Sequence, residues 1–512
     1  MIEKIPKNVV KVLESLEEAG FEAYIVGGCV RDLLMGREPA DWDVTTNATP
    51  DQVMEVFEDS FYENDFGTVG VKIETEEKKS QSLTSDGTRS DDFVKEVIEV
   101  TTFRIESKYS DKRHPDEVKF AKTLKEDLSR RDFTMNALAL RVESRKSKVE
   151  SETQDTKTDA DVEIIDFYDG QKDIESKVIR TVGEASERFD EDALRMMRAI
   201  RFSAQLGFEI EKKTLKAIED NAVSLKYISQ ERIKDEFTKI ILSPDPASGV
   251  ENLRETGLLS FVVPELESGV GVKQNRHHIY TIYKHCLLSL EKCPSEKLEV
   301  RLAALFHDIA KPQTKRGEGE FSTFYNHDHV GARVVKKILQ RLKYSNKIIE
   351  KVVLLVDNHM FYYNPDEVGD ASVRRLIKKM GLENMKDLID LRIADRLGSG
   401  VPKAKPYKLR HLEYIIDKVS KDAISVKMLK IGGNDLMKDL EMKPGPKIGA
   451  ILDVLLAEVI EDSFRNNKEY LLNRARELDR EDIEQLRTLA KEKIEERKEE
   501  DDKELKSRHW VK

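Results

Sequence analysis

Cysteine is scarce, with Cys29, Cys286 and Cys293 the only three in 512 residues. So few in so long a chain cannot form a disulfide framework. Long apolar runs are missing too, since no stretch approaches the twenty or so residues a membrane-spanning helix needs, and there is no secretory leader pattern. The expectation is a cytoplasmic protein with no membrane partner. Basic residues are also in deficit: 87 Lys and Arg against 98 Asp and Glu leave a net charge of −11. That weighs against a chain gripping nucleic acid by overall charge, and leaves such binding to local clusters such as the one from Lys403 to Arg410. At this length one core cannot serve the whole chain, and three or more domains or a string of helical subdomains are expected.

What is present is organised around Tyr24-Ile-Val-Gly-Gly-Cys-Val-Arg-Asp-Leu-Leu-Met-Gly36 and the adjoining Asp41-Trp-Asp-Val-Thr45. Tyr24 to Val26 read as a short buried strand, Gly27 and Gly28 as a tight turn, and Val30 to Met35 as a helix. A helix start offers unpaired N–H groups to phosphate, two glycines allow close approach, and Arg31 adds a charged donor. On a strand, residues two apart share a face, so Asp41 and Asp43 can share a magnesium ion beside that phosphate. An amphipathic helix over residues 1–20 precedes the cradle. Two alternating β-branched strands follow it, Gly67 to Ile73 and Val97 to Arg104. The polar stretch between them reads as an inserted mobile hairpin loop with no chemistry.

Gly-Gly-x-Val-Arg-Asp followed closely by Asp-x-Asp resembles the core of the DNA polymerase beta-like nucleotidyltransferases. Within them it looks like the bacterial branch that holds tRNA nucleotidyltransferases (CCA-adding enzymes) and poly(A) polymerases. The resemblance implies that Glu99, in Glu-Val-Thr-Thr-Phe, neighbours the two aspartates as a third catalytic carboxylate; an edge-strand solvent charge is the other reading. Arg-Arg-Asp-Phe-Thr-x-Asn is matched by Arg130, Arg131, Asp132 and Asn136, which the resemblance assigns to nucleotide and sugar contacts. Without it, the same residues read as a surface helix start with a charge pair.

Phe189 to Phe202 has apolar positions at helical spacing, with Glu191, Asp192, Arg195 and Arg198 on one face. Such pairs are usually surface salt bridges. Cytosine and adenine, however, both present an amino donor beside a ring-nitrogen acceptor, whereas guanine and uracil present a carbonyl beside an N–H. A fixed carboxylate with a fixed guanidinium complements the first two alone. An Asp192–Arg195 pair is therefore expected to select C and A, the role of the family's Glu-Asp-x-x-Arg motif.

A second constellation comprises His285, His307, Asp308, His327, His359 and Asp395. Leu302-Ala-Ala-Leu-Phe-His-Asp-Ile-Ala-Lys311 resembles the paired His-Asp of HD phosphohydrolases, with His285 and Asp395 matching the outer ligands. The mixed imidazole and carboxylate set suits a hydrolytic divalent metal such as manganese, nickel or iron, and His327 and His359 allow a second ion. An inert helical scaffold is the alternative. In the tail, Lys443-Pro-Gly-Pro-Lys-Ile-Gly449 opens a helix that either grips RNA phosphates or is a plain helix–helix turn. Arg474 to Lys506 reads as one mixed-charge, solvated helix.

The resemblance implies an α+β head followed by helices throughout. Residues 1–170 form the head, with polar insertions at 74–95 and 142–162. A neck at 171–265, an HD domain at 266–400, a tRNA-binding tail at 401–473 and a charged C-terminal helix at 474–512 complete the chain, as monomer or homodimer. The implied activity is addition of CCA to tRNA 3′ ends from CTP and ATP by two-metal Mg2+ chemistry, with a phosphohydrolase at the HD site. Poly(A) polymerase, CC-adding or A-adding activity stands as the rival within that chemistry. An HD hydrolase with an RNA-binding head is the rival from another class.

Overall fold

The computed structural model describes residues 4–64, 67–83, 89–107, 117–143, 161–275, 279–365, 367–401, 403–421 and 429–511. Helix α1 (Lys7–Glu18) buries Val9, Val12, Leu13 and Leu16, the spacing of one helical face. Strand β1 (Ala23–Val26), fully buried, runs to Gly27, and α2 (Gly28–Leu34) opens directly behind that glycine. The φ of Gly27 is +86°, a region side chains rarely enter. Strand β2 (Asp43–Thr46) follows, then α3 (Pro50–Val56), whose start is set by a Thr49/Gln52 capping box and Pro50 in the first turn.

Strands β3 (Ser60–Asn64), β4 (Thr68–Leu83) and β5 (Arg89–Thr102) complete one side of the sheet. The short pair β6 (Arg104–Ser107) and β7 (Glu117–Phe120) lies apart from it. After α4 (Leu124–Ser129), β8 (Leu138–Glu143) and β9 (Asp161–Asp166) close the other side. The seven strands run in the order β3-β4-β5-β2-β1-β8-β9. Within this sheet, among the described residues, only β2 and β5 pair in parallel, setting Asp43 opposite Glu99. Across the polar stretch at 74–95, β4 and β5 pair out to Leu83 and Arg89, with register shifts between Glu74 and Ser80. Residues 84–88 lie outside the described set, as do 144–160 of the second insertion, whose flanks pair as β8 and β9.

Beyond α5 (Gly170–Glu175) the chain is helical apart from short two-residue strands, so the expected α+β head with a helical remainder is what the chain adopts. Two readings need correction. The helix expected across Phe189 to Phe202 is two helices, α6 (Ala185–Glu191) and α7 (Leu194–Leu206), separated at Asp192 and Ala193. Asp192 is extended (φ −141°, ψ 105°) and its Oδ1 accepts from the Leu194 N–H, so its side chain competes with the helix backbone. The second concerns the C-terminus, where helix Lys468–Leu478 stops and a separate helix, Ile483–His509, begins behind an Asp482 cap. That last helix is not a solvated extension. Leu486 is buried in the tail's own core, while Leu505 and Val511 are buried in the large helical core. His509 Nε2 pairs with Asp417 at 2.8 Å, and Asp502 accepts from the Tyr414 hydroxyl.

One apolar cluster runs from Phe133 through the helices after α6 and on into the helices around Leu305 and Leu388. The residues either side of position 265 thus share a core, with Val262 and Leu266 packed in the cluster that holds Tyr283 and Leu287. None of the described helices is long and apolar enough to cross a membrane.

Candidate active site

The cradle is built by backbone. A Cβ on Gly27 would lie 2.9 Å from an Arg131 guanidinium nitrogen and 3.6 Å from Asp43 Oδ2. Only glycine therefore lets the turn, the arginine and the carboxylate meet. Arg131 is held from behind by Asp127, 3.5 Å away, which is buried and also takes two hydrogen bonds from Arg130 at 3.0 and 2.8 Å. The Thr123/Glu126 capping box fixes the start of α4 and so the position of Asp127.

Asp43 begins β2, whereas Asp41 lies before the strand in the exposed turn, so strand alternation is not what joins the two. They converge nonetheless. Burial pushes the Asp43 carboxyl up, Arg131 opposes this, and the neighbouring charges of Asp41 and Glu63 push it further. Glu99 is raised in the same way, first by burial and then by Glu63, Asp43 and Asp41. Asp43 on β2, Glu99 on β5, Glu63 on β3 and Asp41 in the turn before β2 thus lie within electrostatic reach of one another. This oxygen-rich, mutually repelling donor set fits a hard divalent cation, which would relieve the repulsion. Glu63, on β3, escapes a reading by motif. Its only sequence signal is a carboxylate on a strand whose neighbours Phe61 and Tyr62 are aromatic.

The Arg130 to Asn136 segment joins the cradle to α7 through one continuous chain of bonds. Arg198 grips Asp132 with Nε at 2.7 Å and a second nitrogen at 2.6 Å. Asp132 Oδ1 accepts from Asn136 Nδ2 at 3.1 Å, and Asn136 Oδ1 accepts from Arg31 at 2.8 Å. Burial alone would raise the Asp132 carboxyl, but the Arg198 charge and the Asn136 hydrogen bond pull it down to about 2. Phe202 lies beneath, its ring centroid 5.2 Å from the Arg31 guanidinium carbon and 4.1 Å from that of Arg201.

The expected Asp192–Arg195 pair is not what forms. Arg195 pairs with Glu191 at 2.5 Å and donates to the Arg130 carbonyl at 3.0 Å. Asp192 is held instead by Arg232, with its Oδ2 2.6 Å and its Oδ1 3.2 Å from two guanidinium nitrogens. Because α6 ends at Glu191, Asp192 leaves the shared helical face and turns toward the helix Gln230–Ile241. Arg232 has no local spacing signal, being forty residues away.

The second constellation is brought together in full. His285 lies on helix Ile282–Glu291, His307 and Asp308 end helix Leu298–Phe306, and His327 starts helix His327–Arg341. His359 follows helix Asn346–Asp357, and Asp395 lies on helix Leu382–Gly398. Asp308 Oδ2 is 3.1 Å from His285 Nε2 and 3.3 Å from His307 Nε2, while Asp308 Oδ1 is 3.3 Å from His327 Nε2 and 3.7 Å from His359 Nε2. Asp395 Oδ1 lies 3.4 Å from His285 Nε2.

Three of the imidazoles use the same device. Nδ1 of His307, His327 and His359 each lies 2.7 to 2.9 Å from the backbone carbonyl three residues earlier. A carbonyl only accepts, so Nδ1 carries the proton and Nε2 keeps its lone pair in the neutral ring. Nε2 of His327 and of His359 is buried without a hydrogen-bond partner. These orphaned nitrogens, around a shared carboxylate, fit a divalent metal. Burial draws His307 down, but Asp308 and Asp395 more than offset it and hold the ring up to about 10. Burial lowers His359, which favours the neutral, ligating form.

Comparison with known proteins matches residues 23–180 to the family described as the poly(A) polymerase head domain. Residues 207–269 match a probable RNA and SrmB-binding site of polymerase A, and residues 322–475 a putative tRNA nucleotidyltransferase domain 2. The chain is 32% identical over 470 residues to the CCA-adding enzyme of Lactococcus lactis subsp. lactis, covering 91% of this chain and 97% of that one. It is 34% identical over 476 residues to that of Pediococcus pentosaceus, covering 92% and 98%. Among solved structures, the Bacillus stearothermophilus CCA-adding enzyme in complex with CTP superposes with a TM-score of 0.55 at 26% identity, covering 93% of this chain and 97% of that chain.

Proposed function

The chain belongs to the bacterial tRNA nucleotidyltransferase and poly(A) polymerase family, and from that premise we propose that it adds CCA to tRNA 3′ ends, using CTP and ATP. The observation that carries this reading is the meeting of Asp43, Glu99 and Arg131 at the Gly27 turn. Asp41, Asp43 and Glu99 would hold the divalent cation the family uses, typically Mg2+, which when bound supplies positive charge to the attacking oxygen and the leaving pyrophosphate. The turn at Gly27 and Gly28 receives the triphosphate, with Arg131 and Arg31 as cationic donors. The terminal ribose oxygen bonds to the α-phosphorus as the α–β anhydride breaks. Pyrophosphate leaves, and the hydroxyl proton goes to water. Asp132 and Asn136 orient the sugar, and Asp192 and Arg195 read the base edge. The decisive experiment offers tRNA ending at the discriminator base, tRNA-C, tRNA-CC and a poly(A) primer with each labelled NTP in turn. Stepwise C, C and A on the tRNAs alone supports the reading, and runs of A on every primer overturn it.

A second activity, hydrolysis of phosphate esters at RNA ends, is supported by the orphaned Nε2 atoms of His327 and His359 around Asp308. His285, His307, Asp308, His327, His359 and Asp395 would hold manganese, nickel or another divalent ion, which when bound supplies a water acidic enough to attack phosphorus near neutral pH. With a 2′,3′-cyclic phosphate, water adds to phosphorus, one ring P–O bond breaks, and the freed ribose oxygen takes a proton. Burial would raise the Asp308 carboxyl, but His307, and after it Lys311 at 2.6 Å, hold it well below the usual range. Release of a monophosphate from 2′,3′-cAMP with manganese or nickel tests the reading, and no turnover with any divalent ion removes it.

A further inference from the structure

The His–Asp cluster opens into a cavity of about 620 Å³, whose outer wall carries Phe324, Tyr325, Met360, Arg392 and Arg396. A second cavity, of about 390 Å³, lies on the far side of the same two arginines and is lined by Phe361, Tyr363, Tyr407 and Lys408. Arg392 and Arg396 therefore form a shared wall between the two.

Three observations define what the second cavity takes. Its lining combines three aromatic rings and three cations with the aliphatic Pro406, Leu409 and Leu412, and rings beside cations are what bind single-stranded nucleic acid by stacking and backbone attraction. The Arg392 guanidinium carbon lies 5.5 Å from the Phe361 ring centroid, and Tyr407, at the start of helix Tyr407–Lys421, is 41% exposed although its ring also meets the His411 ring and the Arg410 guanidinium, at 5.8 and 6.0 Å. The arginines themselves are built in. Arg392 is anchored to Asp395 at 3.2 Å, and Nε of Arg396 is buried without a hydrogen-bond partner. An anion on the boundary between the cavities would meet both.

We infer that the second cavity is a nucleobase subsite, so that the His–Asp site favours the end of an RNA strand over a free mononucleotide. The terminal phosphate enters the metal-binding cavity, the phosphodiester linking the last two nucleotides meets Arg392 and Arg396, and the penultimate base stacks among Tyr363, Tyr407 and Phe361. The inference rests on the hydrolase reading for the terminal phosphate, while the subsite stands on the shared wall and its aromatic lining.

Binding separates the two. Isothermal titration of the full chain with 3′-AMP and with the 3′-phosphorylated dinucleotide ApAp, without added metal, reads the subsite with no turnover. The dinucleotide should bind about tenfold more tightly, the effect of one stacked base. Tyr407→Ala and Lys408→Ala should each remove most of that advantage while moving 3′-AMP by less than twofold. Both side chains are exposed, so the variants keep the fold. Equal affinity for the two ligands, or an advantage that survives both substitutions, overturns the subsite. A parallel assay compares 2′,3′-cAMP with ApA ending in a 2′,3′-cyclic phosphate, with manganese present. A lower KM for the dinucleotide that rises in Tyr407→Ala supports the subsite. A dinucleotide preference in titration with no hydrolysis of either substrate leaves the subsite standing and removes the hydrolase.

Discussion

Arg232 holds Asp192 with two guanidinium nitrogens, at 2.6 and 3.2 Å, and draws it off the face where Arg195 stands. A carboxylate in that bidentate grip presents fewer lone pairs to a base amino group. If Asp192 selects the base as proposed, that selection would pass through Arg232 as well as Arg195. Asp192→Ala should relax the choice of C and A over G and U by ~1–3 kcal/mol, the value of a bidentate base contact. Arg232→Ala should lower the same preference by a smaller factor, because Asp192 keeps its acceptor oxygens but loses the grip that fixes their direction. Incorporation of each labelled NTP on tRNA-C and tRNA-CC reads both. Wild-type selectivity in both variants would leave the pair a plain salt bridge.

Asp43→Ala should abolish nucleotide addition and leave the protein folded. Asp43 is repelled by Asp41 and Glu63, so removing it relieves strain between like charges while removing a cation ligand. Thermal unfolding by circular dichroism, beside primer extension, checks both halves. Extension at near-normal rate is the outcome that would sink the assignment.

These predictions draw on features that were unequally legible in the sequence. The glycine turn was legible in Gly27 and Gly28 themselves, whereas Glu99 and the Arg130 to Asn136 segment were marked only by their resemblance to family motifs, and the strand alternation expected of Asp41 and Asp43 is not what brings them together. The break at Asp192 was not legible. No glycine or proline marks it, and an aspartate capping the Leu194 N–H looks in sequence like any helical acid. The grip of Arg232 is tertiary, set by how helix Gln230–Ile241 packs against α7. The C-terminal helix failed differently, because its docking rests on isolated apolar residues, Leu486, Leu505 and Val511, too sparse to give a periodic signal.

The Arg198–Asp132 bond makes stability depend on acid. The folded Asp132 carboxyl titrates at about 2 against an ordinary 3.8, so folding favours its ionised form. Its stabilisation is complete above about pH 4 and fades as pH falls toward 2, and a depression of that size corresponds to ~2 kcal/mol. Asp132→Asn should therefore be less stable than wild type near neutrality, with the gap narrowing below pH 4. Denaturant unfolding across that range measures it, and a pH-independent gap would contradict the charge pairing.

Divalent metal should stabilise the helical region. An ion that binds only the folded cluster around Asp308 contributes ~2.7 kcal/mol at a hundredfold excess over its Kd. Chelator should thus lower Tm, and manganese or nickel should restore it. His307→Ala with Asp308→Ala should reduce the response to what the carboxylates of the head supply, while leaving nucleotide addition in place. A metal-independent Tm in wild type would leave the cluster as scaffold.

The C-terminal helix carries a mechanical consequence. Its 27 residues span roughly 40 Å, with Leu486 seated in the tail's core and Leu505 and Val511 in the large helical core. The polypeptide leaves that core at helix Tyr407–Lys421, builds the tail, and then returns along this helix to the helix it left, where Asp502 and His509 meet Tyr414 and Asp417. The tail is thereby joined at both ends, like a bow held by its string. The string's length sets how far the tail stands from the body.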